Sequence, residues 1–373
     1  MKFNVLSCLV FLMTASFPLY VLKSGSIQPS HAIAIVTMIY CIANDRLTIG
    51  VVESILITLI TCMLFTELIH AHNIIGIEPI LNIAFMVFTL LFVAMFRKVL
   101  VSKHIEVLYG LLTSQFIALM GLFIYGFSFT GPESLRAVGF FNNPNQLGYF
   151  AVLSFSIVAL IQMLVDVDKS IYLFIIICSI FFSILSLSKA AMVSLAFGLL
   201  MLGFSNAPFR VIFLLFPVVY SLITLFFLPA LEKLNFVKRI GDIGHSGDDN
   251  LVERGTFVLF QESEGVLDYI FGIGVERALF ALKHEVHSTF FSFLAYYGFV
   301  GFILYFSFFG YVVYQLLKLV SFKNVLVIMS PPLLFGLTHN GSRSLFFVLL
   351  IALILASASQ NFKRLRKDPL IKS

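Results

Sequence analysis

Between Lys169 and Lys189 the chain carries no charged residue, and none lies between Glu106 and Glu133. Stretches this long and this apolar match what a helix needs to cross a bilayer, roughly 17–25 residues. Such runs recur near 3–22, 31–44, 47–69, 74–96, 105–129, 147–165, 170–187, 189–205, 209–229, 288–317, 323–338 and 343–360. The expected architecture is therefore all-α and polytopic, with about twelve transmembrane helices in one membrane domain, residues 1–373. Composition agrees: 60% of the residues are hydrophobic and 12% charged, with a mean hydropathy of +1.03. Soluble domains average about 45–50% apolar and about 25% charged residues.

Charge placement orients the chain. With the N-terminus in the cytoplasm, the cytoplasmic segments hold Lys2, Arg46, Arg97, Lys98, Lys103, Lys169, Arg210, Lys318, Lys323 and the basic tail from Lys363 to Lys372. The short outer loops hold only Lys23, Arg136, Lys189 and Arg343. This asymmetry places both termini inside. The net charge of +5 is spread along loops, so it does not point to nucleic acid. Trp is absent, so the aromatic belt falls to the 13 tyrosines. Cys8, Cys41, Cys62 and Cys178 lie in apolar segments without disulfide or zinc spacing and read as small buried hydrophobes. Lys2 and the apolar run to Leu22 read as an uncleaved first helix.

Two outer segments carry polar residues worth singling out. Residues 230–287 form one long loop, rich in Gly, Asp and Glu. A loop of this length is functional or disordered. Its part from Glu253 to Ile270 has a helical composition suited to packing on the membrane surface. The other segment is Arg136-Ala-Val-Gly-Phe-Phe-Asn-Asn-Pro-Asn-Gln-Leu-Gly148. Asn143-Pro144-Asn145 is turn chemistry, and either Asn143 or Asn145 is placed to cap a helix starting near Gln146. The same pattern also serves a plain capped loop with one solvated Arg.

Within the long loop, Arg254 precedes Phe271-Gly272-Ile273-Gly274, whose glycines suit a tight turn. His287-Ser288 follows at the mouth of the next helix, then Gly298 and Gly301. Eleven residues bring a regular helix back to nearly the same face. His287, Gly298 and Gly301 are thus expected on one side, with the glycines admitting a neighbouring helix. A helix N-terminus disfavours the imidazolium, which suits His287 to act as a neutral base. An interfacial His is also common as a bystander.

Taken together these segments resemble the bacterial O-antigen polymerase and O-antigen ligase superfamily, which includes capsule and exopolysaccharide polymerases. That family carries, in its last large periplasmic loop, His, then Asn, Ser or Gln, nine residues, Gly, two residues, and Gly, Thr or Tyr. His287, Ser288, Gly298 and Gly301 meet each position. The Arg136 to Gly148 segment, Ser188-Lys189-Ala190 and Phe271 to Gly274 are also similar to it. An aromatic commonly follows the family's loop Arg, and here Phe257 or Phe260 stands in that role.

The resemblance implies a fold like the membrane-embedded GT-C glycosyltransferases and glycan transfer at the outer face of the inner membrane. The donor would be a glycan on undecaprenyl diphosphate. The acceptor would be a sugar hydroxyl of another lipid-linked repeat or of lipid A core. His287 would take the hydroxyl proton. Arg136, Arg254 and Lys189 would hold the diphosphate, with arginine forks matched to its oxygens. No cofactor or metal is implied, and no Asp-x-Asp suited to a sugar-nucleotide metal is present. Direct displacement would invert the anomeric carbon. Membrane lipids, a flippase and a chain-length regulator are the further partners. The polymerase reading is preferred over the ligase because the loop is short. A transporter or lipid-linked glycan flippase is the rival from another class, since Glu53 lies inside the third helix. A flippase would require cations converging at the membrane midplane.

Overall fold

The computed structural model describes residues 4–22, 28–44, 49–70, 76–125, 127–129, 135–165, 167–205, 255–341 and 343–367. The expected helix over 209–229, the first part of the long loop and Arg254 lie outside the described residues. The described chain is helical apart from one short antiparallel ribbon. Six helices are long and apolar enough to cross a membrane, and five shorter apolar helices accompany them, among the described residues. Two compact units are distinguished: described residues within 1–33, 103–246 and 320–335 form the first, and those within 34–102, 247–319 and 336–373 the second.

The first unit contains α1 (Val5–Ala15), α5 (His104–Tyr125), β1 (Phe127–Phe129), β2 (Leu135–Ala137), α6 (Pro144–Leu164), α7 (Lys169–Ser186), α8 (Lys189–Ser205) and most of α13 (Phe322–Thr338). It is built around α6, whose apolar residues run round its whole circumference and are buried on every side. Inside it, Gln115 of α5 donates to Ser154 of α6 at 3.1 Å. Gly110 lets α5 meet α1, since a Cβ there would lie 2.7 Å from that of Thr14. Where α1 and α5 begin, Ser7 donates to Glu106 at 2.7 Å, and Lys103 bonds both.

Three expectations change here. α1 stops at Ala15, short of the span expected over 3–22, because Pro18 cannot continue a helix and restricts the residue before it. Cys8 is exposed on α1, not buried as expected; the other three cysteines are buried. The helix expected to 129 ends at Tyr125, and Phe127–Phe129 pairs with Leu135–Ala137, Ser128 opposite Arg136. Between the helices expected over 170–187 and 189–205 the chain turns, with Leu187 in the left-handed conformation between α7 and α8.

The second unit contains α3 (Val51–Ile69), α4 (Ile77–Val99) with a 3-10 turn at 100–102, and three short helices: α9 (Val258–Glu262), α10 (Val266–Phe271) and α11 (Val275–Leu282). α12 (Thr289–Leu317) and α14 (Leu345–Lys367) complete it. α2 (Pro29–Ala43) crosses the boundary between the two residue sets. From Leu345 to Ala358 every residue of α14 is buried. α3 packs on α4 and α12, and α14 on α4 and α12. The ends of these helices sort the charges. Glu53 pairs with Arg97 at one end, while Glu67, His70, Glu78 and Arg343 gather with the α9–α11 segment at the other.

Candidate functional site

His287 lies just before α12, not within it. Ser288 is the N-cap: its hydroxyl accepts from Phe291 N–H at 3.3 Å and donates to the Gly336 carbonyl at 3.2 Å. Thr289 donates to the His339 carbonyl at 3.0 Å and accepts from Gly341 N–H at 2.9 Å. On the other side, the buried Val286 donates its N–H to the Tyr296 hydroxyl at 3.0 Å. The residues flanking His287 are thus bonded and buried, while His287 itself is exposed. Its ring stacks on that of His284, with centroids 4.9 Å apart. An imidazole presented outward from a clamped backbone is placed to exchange a proton with a bound hydroxyl.

The expected common helix face of His287, Gly298 and Gly301 does not exist. Gly298 has φ 62° and ψ −164°, which breaks α12, and His287 stands outside the helix. The regular 100° advance per residue therefore does not run from one to the other. What approaches Gly298 is also not a helix. It is the Phe271–Gly274 backbone.

A break takes the carbonyls of the preceding turn out of the helical ladder. Those of Ala295 and Tyr296 accept from Ile273 N–H at 3.0 Å and Gly274 N–H at 3.1 Å. A Cβ on Gly298 would sit 2.4 Å from Gly272 N, and one on Gly272 would sit 2.2 Å from the Tyr296 carbonyl oxygen. Both residues have positive φ, so glycine is required twice over, by conformation and by space. Gly301 accommodates the same break, since its Cβ would fall 2.3 Å from that of Tyr297. Two motifs distant in sequence are one packed joint.

α3 secures that joint. Thr66 donates to the Phe271 carbonyl at 2.7 Å, and His70 Nε2 lies 2.8 Å from the Gly272 carbonyl, to which it must donate. Glu67 accepts from Val275 N–H at 3.1 Å. Arg277 ties the three short helices together through Asp268, Glu264 and the Glu262 carbonyl.

Arg343 is the functional candidate that sequence reading passed over. Its Nε donates to Asn82 at 2.8 Å, and its Nη1 lies 3.4 Å from Glu78 and 3.2 Å from Glu285. It joins α4 to the residue two before His287. With Asn82, Ser292, Tyr296, Tyr297 and Asn340 it lines a crevice that has room for about one water molecule. The signal was available: His339-Asn340-Gly341-Ser342-Arg343 is a polar run between two apolar helices.

In the first unit the other motifs also meet. Asn143 caps α6, accepting from Gln146 N–H at 2.9 Å, and Pro144 takes the first helical position. This decides the cap between Asn143 and Asn145, which lies inside the helix. Gln146 reaches back to Asn142 N–H at 3.0 Å, and Asn142 donates to the Leu22 carbonyl at 2.8 Å. Gly148 faces the turn after α7: a Cβ there would meet Ala191, Ser186 and Ser188 at 2.8–3.1 Å. Lys189, half-buried, opens α8 at this turn. Asp168, the second acid of an Asp-Val-Asp run, is used as the cap of α7, accepting from Ser170 N–H at 2.7 Å. Arg136 is described by its backbone alone in β2.

Comparison with protein-family models and with curated proteins gives no match to this chain.

Proposed function

We propose that this protein is a glycan polymerase of the bacterial inner membrane. It moves a glycan from undecaprenyl diphosphate to a sugar hydroxyl of another lipid-linked repeat unit. In this reading twelve helices span the membrane, both termini are cytoplasmic, and 230–287 is periplasmic. His287 removes the acceptor proton as the hydroxyl attacks the anomeric carbon. The carbon–oxygen bond to the diphosphate breaks with inversion. Arg136, Arg254 and Lys189 neutralise the departing diphosphate, and no metal or cofactor takes part.

The observation that supports this reading is the joint between Phe271–Gly274 and Gly298, which holds an exposed His287 at one end of the second unit. The cations favour it over a lipid-linked glycan flippase. Among the described residues, no Lys or Arg falls in the middle of a long apolar helix. Glu53, the intramembrane acid that favoured a transporter, lies in the first turn of α3 against Arg97.

The test is a strain lacking the gene, supplied with wild-type protein or His287→Ala at equal abundance. Wild type should restore glycan ladders. His287→Ala should leave at most one repeat unit on the final acceptor, with single repeats on the carrier lipid. Full-length polymer accumulating on the carrier would mean a ligase instead. Wild-type ladders from His287→Ala would remove the residue from the mechanism, and unchanged glycan pools in the deletion strain would refute the reading. Reporter fusions after Leu231 and Lys367 test the sidedness.

A further inference from the structure

The α9–α11 segment turns large apolar side chains outward. Phe257 and Phe260 do so around α9, and Val266, Leu267 and Ile270 form one face of α10, with Val266 73% exposed. Phe260 and Tyr269 have ring centroids 6.1 Å apart, so the two groups form one patch. Side chains of this size are stabilised by removal from water. A patch that leaves so many outside marks an interaction surface.

Three observations say what covers it. The first is its height. Thr66, Glu67 and His70, at the end of α3, bond Phe271, Gly272 and Val275, so α10 is held level with the last turn of that span. The second is continuity. Phe271 meets Phe65 edge-on at 5.0 Å, and Phe65 belongs to the outward stripe of α3 formed by Ile57, Leu64, Phe65 and Leu68. α3 is long and apolar enough to cross a membrane, and this stripe is its exposed apolar face. The patch extends the stripe sideways at its end. The third is the arrangement of polar groups. Asp268 is buried on the opposite side of α10, where it bonds Arg277. Tyr269 flanks the apolar face with the kind of ring that favours the membrane boundary.

We infer that the outward face of α9 and α10 is seated in the bilayer, at the boundary between the acyl chains and headgroups of one leaflet. The occupant is lipid. The inference goes beyond the proposed activity and stands without it. Seated this way, α10 carries the Gly272–Gly298 joint at a depth fixed by the membrane surface.

The experiment uses the full chain with its four cysteines replaced and Leu267→Cys carrying an environment-sensitive fluorophore, in phosphatidylcholine vesicles. Val266→Cys and Phe260→Cys serve as independent repeats should one variant fold poorly. Lipids with a nitroxide near the headgroup end of the chain should quench these labels strongly. Lipids with the nitroxide near the chain terminus should quench them less, and iodide on both sides of the membrane should leave them bright. A label at the exposed Glu264 should show the reverse. If iodide quenches the Leu267, Val266 and Phe260 labels and nitroxide lipids do not, the patch faces water and the inference fails. If neither quenches them, protein covers the patch and it fails equally.

Discussion

The two units bring their motifs together by different means. In the first, Gly148 of an unbroken helix meets the turn from Ser186 to Ala191, and the contact is between side-chain positions. In the second, the backbone of Phe271–Gly274 is laid directly on the backbone of a broken helix. The first contact sets a glycine against the Cβ atoms of Ala191 and Ser188, and it adjusts by small shifts of one helix against the next. The second cannot, because both partners are main chain and both glycines have positive φ. The rigid joint lies beside the exposed His287, while the adjustable one is an interior helix contact. A contact made by backbone carries no rotamer freedom.

The sharpest way to break this contrast is Gly298→Ala. The left-handed backbone alone costs an L residue about 1–2 kcal/mol. With the added collision against Gly272 and Ile270, a loss of more than about 3 kcal/mol is expected. Limited proteolysis should then cut within 255–288 far faster than in wild type. Equal protection would show that the joint is not needed to hold the loop.

Arg343→Ala comes next. Its ion pairs are partly exposed, so stability should fall by only about 1 kcal/mol. If the proposed function holds, loss of position at His287 should cost glycan synthesis about a hundredfold at unchanged abundance. Arg343→Lys should recover part of that, since Lys lacks the fork that reaches Asn82 and both carboxylates. Equal activity in all three proteins would leave Arg343 no positioning role.

The first unit should respond more mildly. Gly148→Ala crowds Ala191 and Ser188 and should cost about 1–3 kcal/mol, read as a lowered melting temperature in detergent. Asn143→Ala removes one cap and should cost about 1 kcal/mol. A Gly148→Ala effect as large as that of Gly298→Ala would erase the contrast between the units.

Local chemistry was readable from the chain; pairing across it was not. Asn143-Pro144 announced a helix start, because caps depend on neighbouring residues. The break in α12 was hidden, since Thr289 to Leu317 is apolar throughout and a lone Gly in such a run is tolerated in a helix. Its cause lies 26 residues away, in Gly272. Arg343 was counted as an outer-loop charge because Glu78 and Glu285 are distant in sequence and nothing local to Arg343 names them. Phe127–Phe129 was read as helix because a three-residue strand is too short for alternation to register.

The ion pair at the other end of the second unit bears on how the chain is made. Glu53 is fully buried, 3.4 Å from Arg97, and Gly50 leaves room for the guanidinium. During synthesis α3 emerges before α4, and on its own it brings an uncompensated acid to the membrane. Acids within a span are costly to insert, by about 2.5–3.5 kcal/mol at its centre and less toward its end. The compensating charge arrives only with the last turn of α4. Where both helices cross a membrane, the acid of the first is matched only once the second is in place, which favours their insertion as a pair.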